Sequence, residues 1–324
     1  MFLSFLLDIN FYASPEFVAN TLHLVAFFEV PILMFGGFVI LCKTPKEMTP
    51  VKWYLFNLHF WIAVSDTFLS YLTVPFVLLP VLAGWGLGAV DAPGFLFYCV
   101  VTLHAALVAS IMAIYENRFN CIYGSDTIWS HIRKPFLAAI YIFIPLFFIP
   151  PYFYVPDQEL AKEKVKEMLP DLEVFTYNDR KMYILTVDNI VPFYSMFGEA
   201  IILMVVCNGF FFSSLWTIFS KYEVSKSLKT QKLQIRFAIA LTFQSGYLFI
   251  VIVIPVFTIL YSIYFRCHNQ AVSNMAVVIL STHGNGSTFV MVVVHKPYRD
   301  YVLSKIGISF DKKDSQADVS PTIN

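Results

Sequence analysis

The 324 residues carry no net charge; 58% are hydrophobic, 18% are aromatic and only 14% are charged. A soluble domain of this composition would expose large apolar patches and aggregate, so the composition excludes an ordinary soluble protein. The balanced charge gives no electrostatic reason to expect nucleic acid as a partner, and the bilayer itself is the first partner predicted.

The apolar residues are concentrated in seven runs. In chain order these cover residues 22–42, 53–82, 93–115, 135–155, 190–219, 237–264 and 271–294. About 20 residues of helix cross the hydrocarbon core, and backbone amides in lipid must be satisfied within the segment. The sequence therefore predicts an all-α membrane protein, a seven-transmembrane helix bundle in one domain over residues 1–307.

Basic residues between the runs predict the orientation. If the runs alternate in direction, 16 of the 22 Lys and Arg residues lie on the side of the C-terminus. The connection 156–182 opposes this pattern with five basic residues on the other side. Because basic residues accumulate in cytoplasmic segments, the distribution predicts an N-out/C-in bundle.

Two segments outside the runs have helical patterns. Between the fourth and fifth runs, Asp157 can cap a helix in which Ala161, Val165 and Met168 share one face; a solvated charged loop fits equally well. After the seventh run, residues 297–306 are predicted to form a short amphipathic helix along the membrane interface. Residues 308–324 are polar and are predicted to be a disordered cytoplasmic tail.

Acidic residues at membrane depth cost about 2.5–3.5 kcal/mol and need a structural or functional reason. Glu29, Asp66 and Glu199 lie in the first, second and fifth runs. We expect Asp66 to face the interior, where it could accept hydrogen bonds from Asn285 or Ser287, or hold a cation. Glu29 and Glu199 could line a ligand cavity; structural pairing is the alternative for all three acids.

Histidines in the runs occur singly, and none has the spacing of a metal site. We expect no metal, no cofactor and no catalytic residues, and therefore no enzyme. His283 joins Asn285 and Ser287 as a polar residue of the seventh run. Within the sixth run, Pro255 interrupts the helical hydrogen bonding and is a predicted hinge.

Cysteines allow one disulfide on the predicted outer side. Cys99 and Cys267 both lie near that side, where an oxidising compartment would permit a bond. Their proximity cannot be read from the sequence, so the pairing stays open.

Two motifs lie at the predicted cytoplasmic boundary. Glu116, Asn117 and Arg118 end the third run as a charged motif, in which Glu116 holds Arg118 or releases it toward a partner. An arginine that reaches the lipid headgroups is the simpler alternative. Pro297, Tyr298 and Arg299 follow the seventh run and begin the interfacial helix.

These motifs, together with His-Gly at 283–284 and Ser-Thr at 287–288, resemble those of the nematode serpentine chemoreceptors of class H, in the Str superfamily. The resemblance covers essentially the whole chain. It implies a G-protein-coupled receptor in the plasma membrane, with the sensory cilium as a candidate location. Against rhodopsin-like receptors the chain departs, because Glu-Asn-Arg stands where Asp-Arg-Tyr is expected.

The resemblance implies a chemosensory receptor that binds a small environmental ligand in an outward-facing cavity and activates a heterotrimeric G protein. The predicted coupling switch comprises Glu116, Asn117, Arg118, Pro297, Tyr298 and Arg299. The predicted polar network or ligand cavity comprises Glu29, Asp66, Glu199, His283, Asn285 and Ser287. The alternative function is a seven-span ligand-gated channel or small-solute transporter.

Overall fold

The structure, a computed structural model, describes residues 9–122, 127–169, 176–187, 190–220 and 228–307. It is a mostly helical bundle. In chain order its α-helices are α1 (Ile9–Tyr12), α2 (Pro15–Lys43), α3 (Thr49–Thr67), α4 (Pro93–Ile122), α5 (Trp129–Phe147), α6 (Ile149–Phe153), α7 (Gln158–Met168), α8 (Ile190–Ser220), α9 (Leu228–Phe265), α10 (Gln270–Ser281), α11 (His283–Val294) and α12 (Lys296–Lys305).

Six helical stretches in the described part of the chain are long and apolar enough to cross a membrane. They correspond to α2, α4, α5 with α6, α8, α9, and α10 with α11. The first predicted run starts later than its helix, because α2 begins at Pro15 after Ser14, whose hydroxyl accepts the Phe17 N–H at 3.1 Å. Helix α3 is not among the six.

The prediction of one continuous span over residues 53–82 is wrong. Helix α3 continues as a π-helix over Phe68–Thr73 and stops at Val74, which has a left-handed backbone with φ 42°. Pro75 cannot donate to the preceding turn, and the chain then forms β1 (Pro75–Leu78) and β2 (Leu82–Gly86). The apolar run hides this change because a buried strand and a buried helix have similar composition.

Two small antiparallel sheets correct the all-α prediction. Strand β5 (Tyr183–Thr186) joins β2, which gives the order β1-β2-β5, and β3 (Thr176–Tyr177) pairs with β4 (Arg180–Lys181). In the three-stranded sheet, a Cβ at Gly84 of β2 would overlap the Phe76 carbonyl of β1, so the close pairing of these strands requires glycine. We call this end of the bundle the sheet end, and the opposite end, where α12 lies, the α12 end.

Helix α7 resolves the alternative between a helix and a solvated loop. Asp157 Oδ1 accepts the backbone N–H groups of Glu159 and Leu160 at 3.0 and 3.1 Å, as predicted for a cap. Ala161 and Val165 are buried against the sheet end. The Gln158 amide bonds both backbone groups of Ile184, which fixes α7 to β5.

The interior of the bundle is apolar along α3, α4, α9 and α11, and it extends as far as Tyr298 of α12. Large apolar side chains also cover the outside, among them Phe27, Trp216 and Phe257. An apolar exterior of this kind matches lipid as the surrounding solvent. Helix α12 begins at Lys296 with Pro297 in its first turn. The predicted disordered tail, 308–324, lies outside the described residues.

The seventh run is divided in two. The backbone of Thr282 separates α10 from α11, whereas α9 remains one helix through Pro255. All five cysteines are free, so the structure has no bond between Cys99 and Cys267.

Candidate functional site

Glu116 is fully buried at the α12 end and is bound by a neighbouring helix. Arg133 of α5 donates from Nε to Glu116 Oε1 at 2.9 Å and from Nη2 to Oε2 at 2.8 Å. The Trp129 indole N–H donates to the same Oε1 at 2.7 Å. A carboxylate with three donors on two oxygens is well satisfied, so this group holds α4 against α5.

Two further acceptors complete this group, which we call the latch: Tyr54, Glu116, Asn117, Trp129 and Arg133. Arg133 Nη2 also lies 3.1 Å from Asn117 Oδ1 and 3.0 Å from the Tyr54 hydroxyl. The latch therefore joins α3, α4 and α5. The sequence analysis paired Glu116 with Arg118, but residues two positions apart do not face each other on a helix. The actual partner, Arg133, lies on another helix, and the sequence analysis missed it.

Arg118 faces α9 rather than the latch. Its guanidinium carbon lies 4.9 Å from the centre of the Phe237 ring, and only 8% of the residue is exposed. A guanidinium over an aromatic face is stabilised by the ring quadrupole. Phe237 of α9 therefore covers the arginine that the sequence analysis assigned to coupling.

The residues of α12 divide into a buried and an exposed set. The Tyr298 hydroxyl is 2.8 Å from Thr44 Oγ1, and the side chain is fully buried. Burial raises the pKa of Tyr298, so this hydroxyl stays protonated at neutral pH. Pro297 is partly buried and Arg299 is exposed, with Arg299 Nη1 donating to the Val293 carbonyl at 3.2 Å.

His295 connects α12 to α9. Its Nε2 lies 3.4 Å from Gln244 Oε1, and its ring lies 5.5 Å from that of Phe237. Burial lowers the pKa of His295 to about 4, so the imidazole is neutral at pH 7 and Nε2 carries the proton that it shares with Gln244. Phe237 thus contacts both Arg118 and the start of α12.

A second buried group lies deep within the bundle, around the Thr282 break. His283 Nδ1 is 2.8 Å from Asp66 Oδ1 and 2.7 Å from the Leu280 carbonyl, and both side chains are fully buried. Because the Leu280 carbonyl can only accept, this hydrogen bond places the proton on Nδ1, whereas the contact with Asp66 is close without hydrogen-bonding geometry. Gly284 lies directly against the same carboxylate, where a Cβ would overlap Asp66 Oδ2.

Residues from two more helices complete this group, which we call the polar cluster: Glu29, Asp66, His104 and His283. Glu29 of α2 is 2% exposed and is close enough to Asp66 and His283 to interact electrostatically. The rings of His104 and His283 are 5.2 Å apart. The structure therefore brings together three residues of the predicted polar network, Glu29, Asp66 and His283, and adds His104, which that network did not include.

Asn285 and Ser287 were predicted to donate hydrogen bonds to Asp66, and neither does so. No described donor reaches either oxygen of Asp66 in hydrogen-bonding geometry, and the Ser287 hydroxyl has no described partner. The expectation that they donate to Asp66 is wrong, because the His283 ring and the Gly284 backbone occupy the position next to that carboxylate.

Glu199 lies apart from the polar cluster. It is 3% exposed on α8, which packs against α4, α5, α6 and α9, whereas the cluster comes from α2, α3, α4 and α11. The predicted network of six polar residues is therefore not one connected set.

Within the described residues, no group of three or more His, Cys, Asp or Glu residues could hold a metal ion.

Comparison with known proteins gives two matches. Residues 13–308 match the family described as serpentine type 7TM GPCR chemoreceptor Srh. The chain is also 24% identical over 311 residues to serpentine receptor class H-72 of Caenorhabditis elegans, an alignment that covers 92% of this chain and 88% of that receptor. The family match includes the latch, the polar cluster and all of α12.

Proposed function

Because the chain belongs to the Srh family of serpentine chemoreceptors, we propose that it is a chemosensory receptor that binds a small environmental ligand and activates a heterotrimeric G protein. It crosses the plasma membrane several times and acts in the cilium of a sensory neuron. The sheet end faces the environment and the α12 end faces the cytoplasm.

Seven passes through the bilayer require α3 to cross as well. Its 19 residues and the six of the following π-helix extend about 38 Å at about 1.5 Å per residue, enough for a hydrocarbon core of about 30 Å. The concentration of Lys and Arg in the connections on the α12 side supports the N-out/C-in orientation.

The observation that carries the proposed coupling is the cover over Arg118. Phe237 lies on α9, and Pro255 lies within that same helix toward the sheet end, where it cannot donate a backbone hydrogen bond. If the part of α9 on the α12 side of Pro255 swings outward, Phe237 is withdrawn and Arg118 is exposed to a G protein. The latch on the other side of α4 stays closed in this movement, so α4 and α5 provide the fixed frame.

The ligand acts by binding one arrangement of the bundle more tightly than the other. Helix α11 connects the polar cluster to the α12 end, because it contains His283 and leads into Pro297, Tyr298 and Arg299. We propose that Glu29, Asp66, Glu199, His283, Asn285 and Ser287 transmit or line the ligand-binding region, and that Glu116, Asn117 and Arg118 with α12 form the coupling face.

Receptor activation in a reporter cell tests the coupling step. With a panel of volatile and weakly polar odorants, Arg118→Ala should abolish G-protein activation, whereas Phe237→Ala should raise activation without ligand. Arg266→Ala, an exposed arginine at the sheet end, and Phe289→Ala, an exposed phenylalanine on α11, serve as matched controls. Full signalling by Arg118→Ala at equal surface expression would remove this arginine from the mechanism.

Epitope tags on both termini of intact cells test the orientation. We expect the N-terminal tag to be labelled from outside and the C-terminal tag only after permeabilisation. Labelling that places the N-terminus inside would contradict the receptor and favour the ligand-gated channel.

A further inference from the structure

A cavity of about 420 Å³ opens between α9 and α10, in the half of the bundle nearer the sheet end. Ile254, Pro255 and Thr258 line it from α9, and Met275 and Ile279 line it from α10. Its volume falls within the range of about 300–1,000 Å³ that is usual for small-molecule sites. None of the residues predicted from sequence to line a ligand cavity borders it.

The lining selects an uncharged molecule. Among the described residues, the lining contains no ionisable side chain other than the Tyr12 phenol, and its one aliphatic hydroxyl, on Thr258, donates to the Ile254 carbonyl at 2.9 Å. A charged group placed here would lose its hydration without gaining a partner, which is strongly unfavourable.

The cavity opens sideways. Ile254, Met275 and Ile279 at its border are 55%, 39% and 38% exposed on the apolar exterior of the bundle. At the sheet end, by contrast, Leu79 and Leu82 are buried against Ile263 at the end of α9. A molecule therefore reaches this cavity more directly from the hydrocarbon than from water.

Tyr12 closes the end of the cavity nearer the membrane surface. The segment that carries it is fixed to α10, because Asn274 Nδ2 donates to the Tyr12 carbonyl at 2.8 Å. The Tyr12 ring also packs edge-on against Phe11 and Phe17. An acyl chain whose headgroup stays at that surface would have to pass this cover, so the shape favours a compact molecule dissolved wholly in the bilayer.

We propose that this crevice is a binding site for a compact, uncharged, apolar molecule that enters from the membrane between α9 and α10. The site lies between two weak points of the helices it touches, Pro255 in α9 and the break at Thr282. Ile279 borders the crevice, and its carbonyl accepts both the backbone N–H and the hydroxyl of Thr282, at 3.1 and 2.8 Å. An occupant therefore contacts the hinge on one side and, on the other, Ile279, whose carbonyl holds Thr282, the residue before His283.

The regulatory consequence rests on the proposed function, whereas the binding does not. A molecule that fits the crevice better when α9 has swung would favour exposure of Arg118. This gives the receptor a ligand class, apolar molecules that concentrate in lipid, and a site distinct from the polar cluster.

Photolabelling of the whole chain in phosphatidylcholine nanodiscs tests the binding without a G protein. The probe is 3-trifluoromethyl-3-phenyldiazirine, a compact apolar photolabel, and the competitor is excess trifluoromethylbenzene. We expect labelled peptides at 254–258 and 271–279 to lose most of their label under competition, while label elsewhere on the lipid-facing surface is unchanged. Even labelling that no competitor reduces would overturn the proposal.

Filling the crevice provides the matched variants. Ala271→Phe and Thr258→Phe should each abolish the competed fraction of the label, whereas Val205→Phe, on the exposed face of α8, should retain it. If the competed fraction survives both filling variants, the probe binds elsewhere and the assignment is wrong. A further arm replaces unsaturated by saturated phosphatidylcholine in the nanodiscs and changes nothing else. If this replacement removes the competed fraction of the label, the occupant is a lipid chain and the proposal also fails. Loss of signalling with intact competed labelling would contradict the proposed function alone.

Discussion

The latch and the polar cluster are two buried charged groups that the bundle treats differently. In the latch, described side chains satisfy both oxygens of Glu116 with three donors. In the polar cluster, by contrast, neither oxygen of Asp66 has a described hydrogen-bond donor, and Glu29 Oε1, His104 Nε2 and His283 Nε2 are also buried without a described partner. In the latch only Asn117 Nδ2 is left in this way among the described atoms, so the latch specifies one arrangement more sharply than the polar cluster does.

This difference fits the roles proposed for the two regions. The latch joins helices that stay together in the proposed movement, and the polar cluster lies at the break between α10 and α11, next to the part that moves. Substitutions should therefore cost most stability in the latch and least at buried hydroxyls without a described partner, such as that of Ser287 on α11.

Arg133→Ala should cause the largest loss. It leaves Glu116, which is fully buried, without its charge partner, and such a change costs about 3–5 kcal/mol. Glu116→Ala should cost less, because the Arg133 side chain is 15% exposed and can turn toward solvent. The thermal midpoint of the purified receptor in detergent measures both.

Arg133→Lys is the control for geometry, since lysine keeps the charge but cannot bind both carboxylate oxygens in parallel. We expect an intermediate midpoint. Equal midpoints for Arg133→Ala and Glu116→Ala would contradict the difference in burial on which the order rests.

Gly284→Ala should cause the next largest loss. A Cβ here would overlap the Asp66 carboxylate and approach Ile62, and overpacking of this kind costs about 1–3 kcal/mol. Gly209→Ala on α8 is the matched control, because a Cβ there meets nothing within 4 Å, and it should leave the midpoint unchanged or raise it slightly.

Adding Asp66→Ala to Gly284→Ala should cost less than the two single losses together, since the smaller residue removes the overlap. Strict additivity would show that Gly284 and Asp66 do not press on each other.

The sequence analysis predicted most helices because a run of about 20 apolar residues has few other structures available in lipid. It failed where an apolar run changes structure without changing composition. Residues 68–82 remain mostly apolar, so β1 and the turn that leads to the first residue of β2 were assigned to a span. Pro75, Pro80 and Gly84 carried a signal for the turn, because proline and glycine clustered in a short stretch favour a hairpin over a helix.

The candidate site was predicted by residue type but not by partner. Asp66 and His283 were both singled out, yet their contact depends on how α3 packs against α11, which no spacing within either helix reveals. Arg133 was counted only for orientation. Its pairing with Glu116 arises from the approach of α5 to α4, and a single sequence carries no record of that approach.

Tyr298→Phe should have a smaller effect than either Arg133→Ala or Gly284→Ala. It removes one buried hydrogen bond to Thr44, which is worth about 0.5–1.5 kcal/mol, and keeps the ring in the core. Thr44→Val should give a similar loss, and the double variant should lose little more than either single one. A double loss equal to the sum would show that the two hydroxyls contribute independently.

Ser287→Ala should have the smallest effect, within about 0.5 kcal/mol, because its buried hydroxyl has no described partner and its removal strands no other group. Ser245→Ala is the contrasting variant, since that hydroxyl donates to the Leu241 carbonyl at 2.8 Å and contacts the Tyr115 hydroxyl. The thermal midpoint should fall for Ser245→Ala and stay constant for Ser287→Ala. An altered odorant response in Ser287→Ala at unchanged stability would place the hydroxyl in the signalling network, whereas a loss of stability as large as that of Ser245→Ala would contradict the expectation that the Ser287 hydroxyl makes no stabilising hydrogen bond.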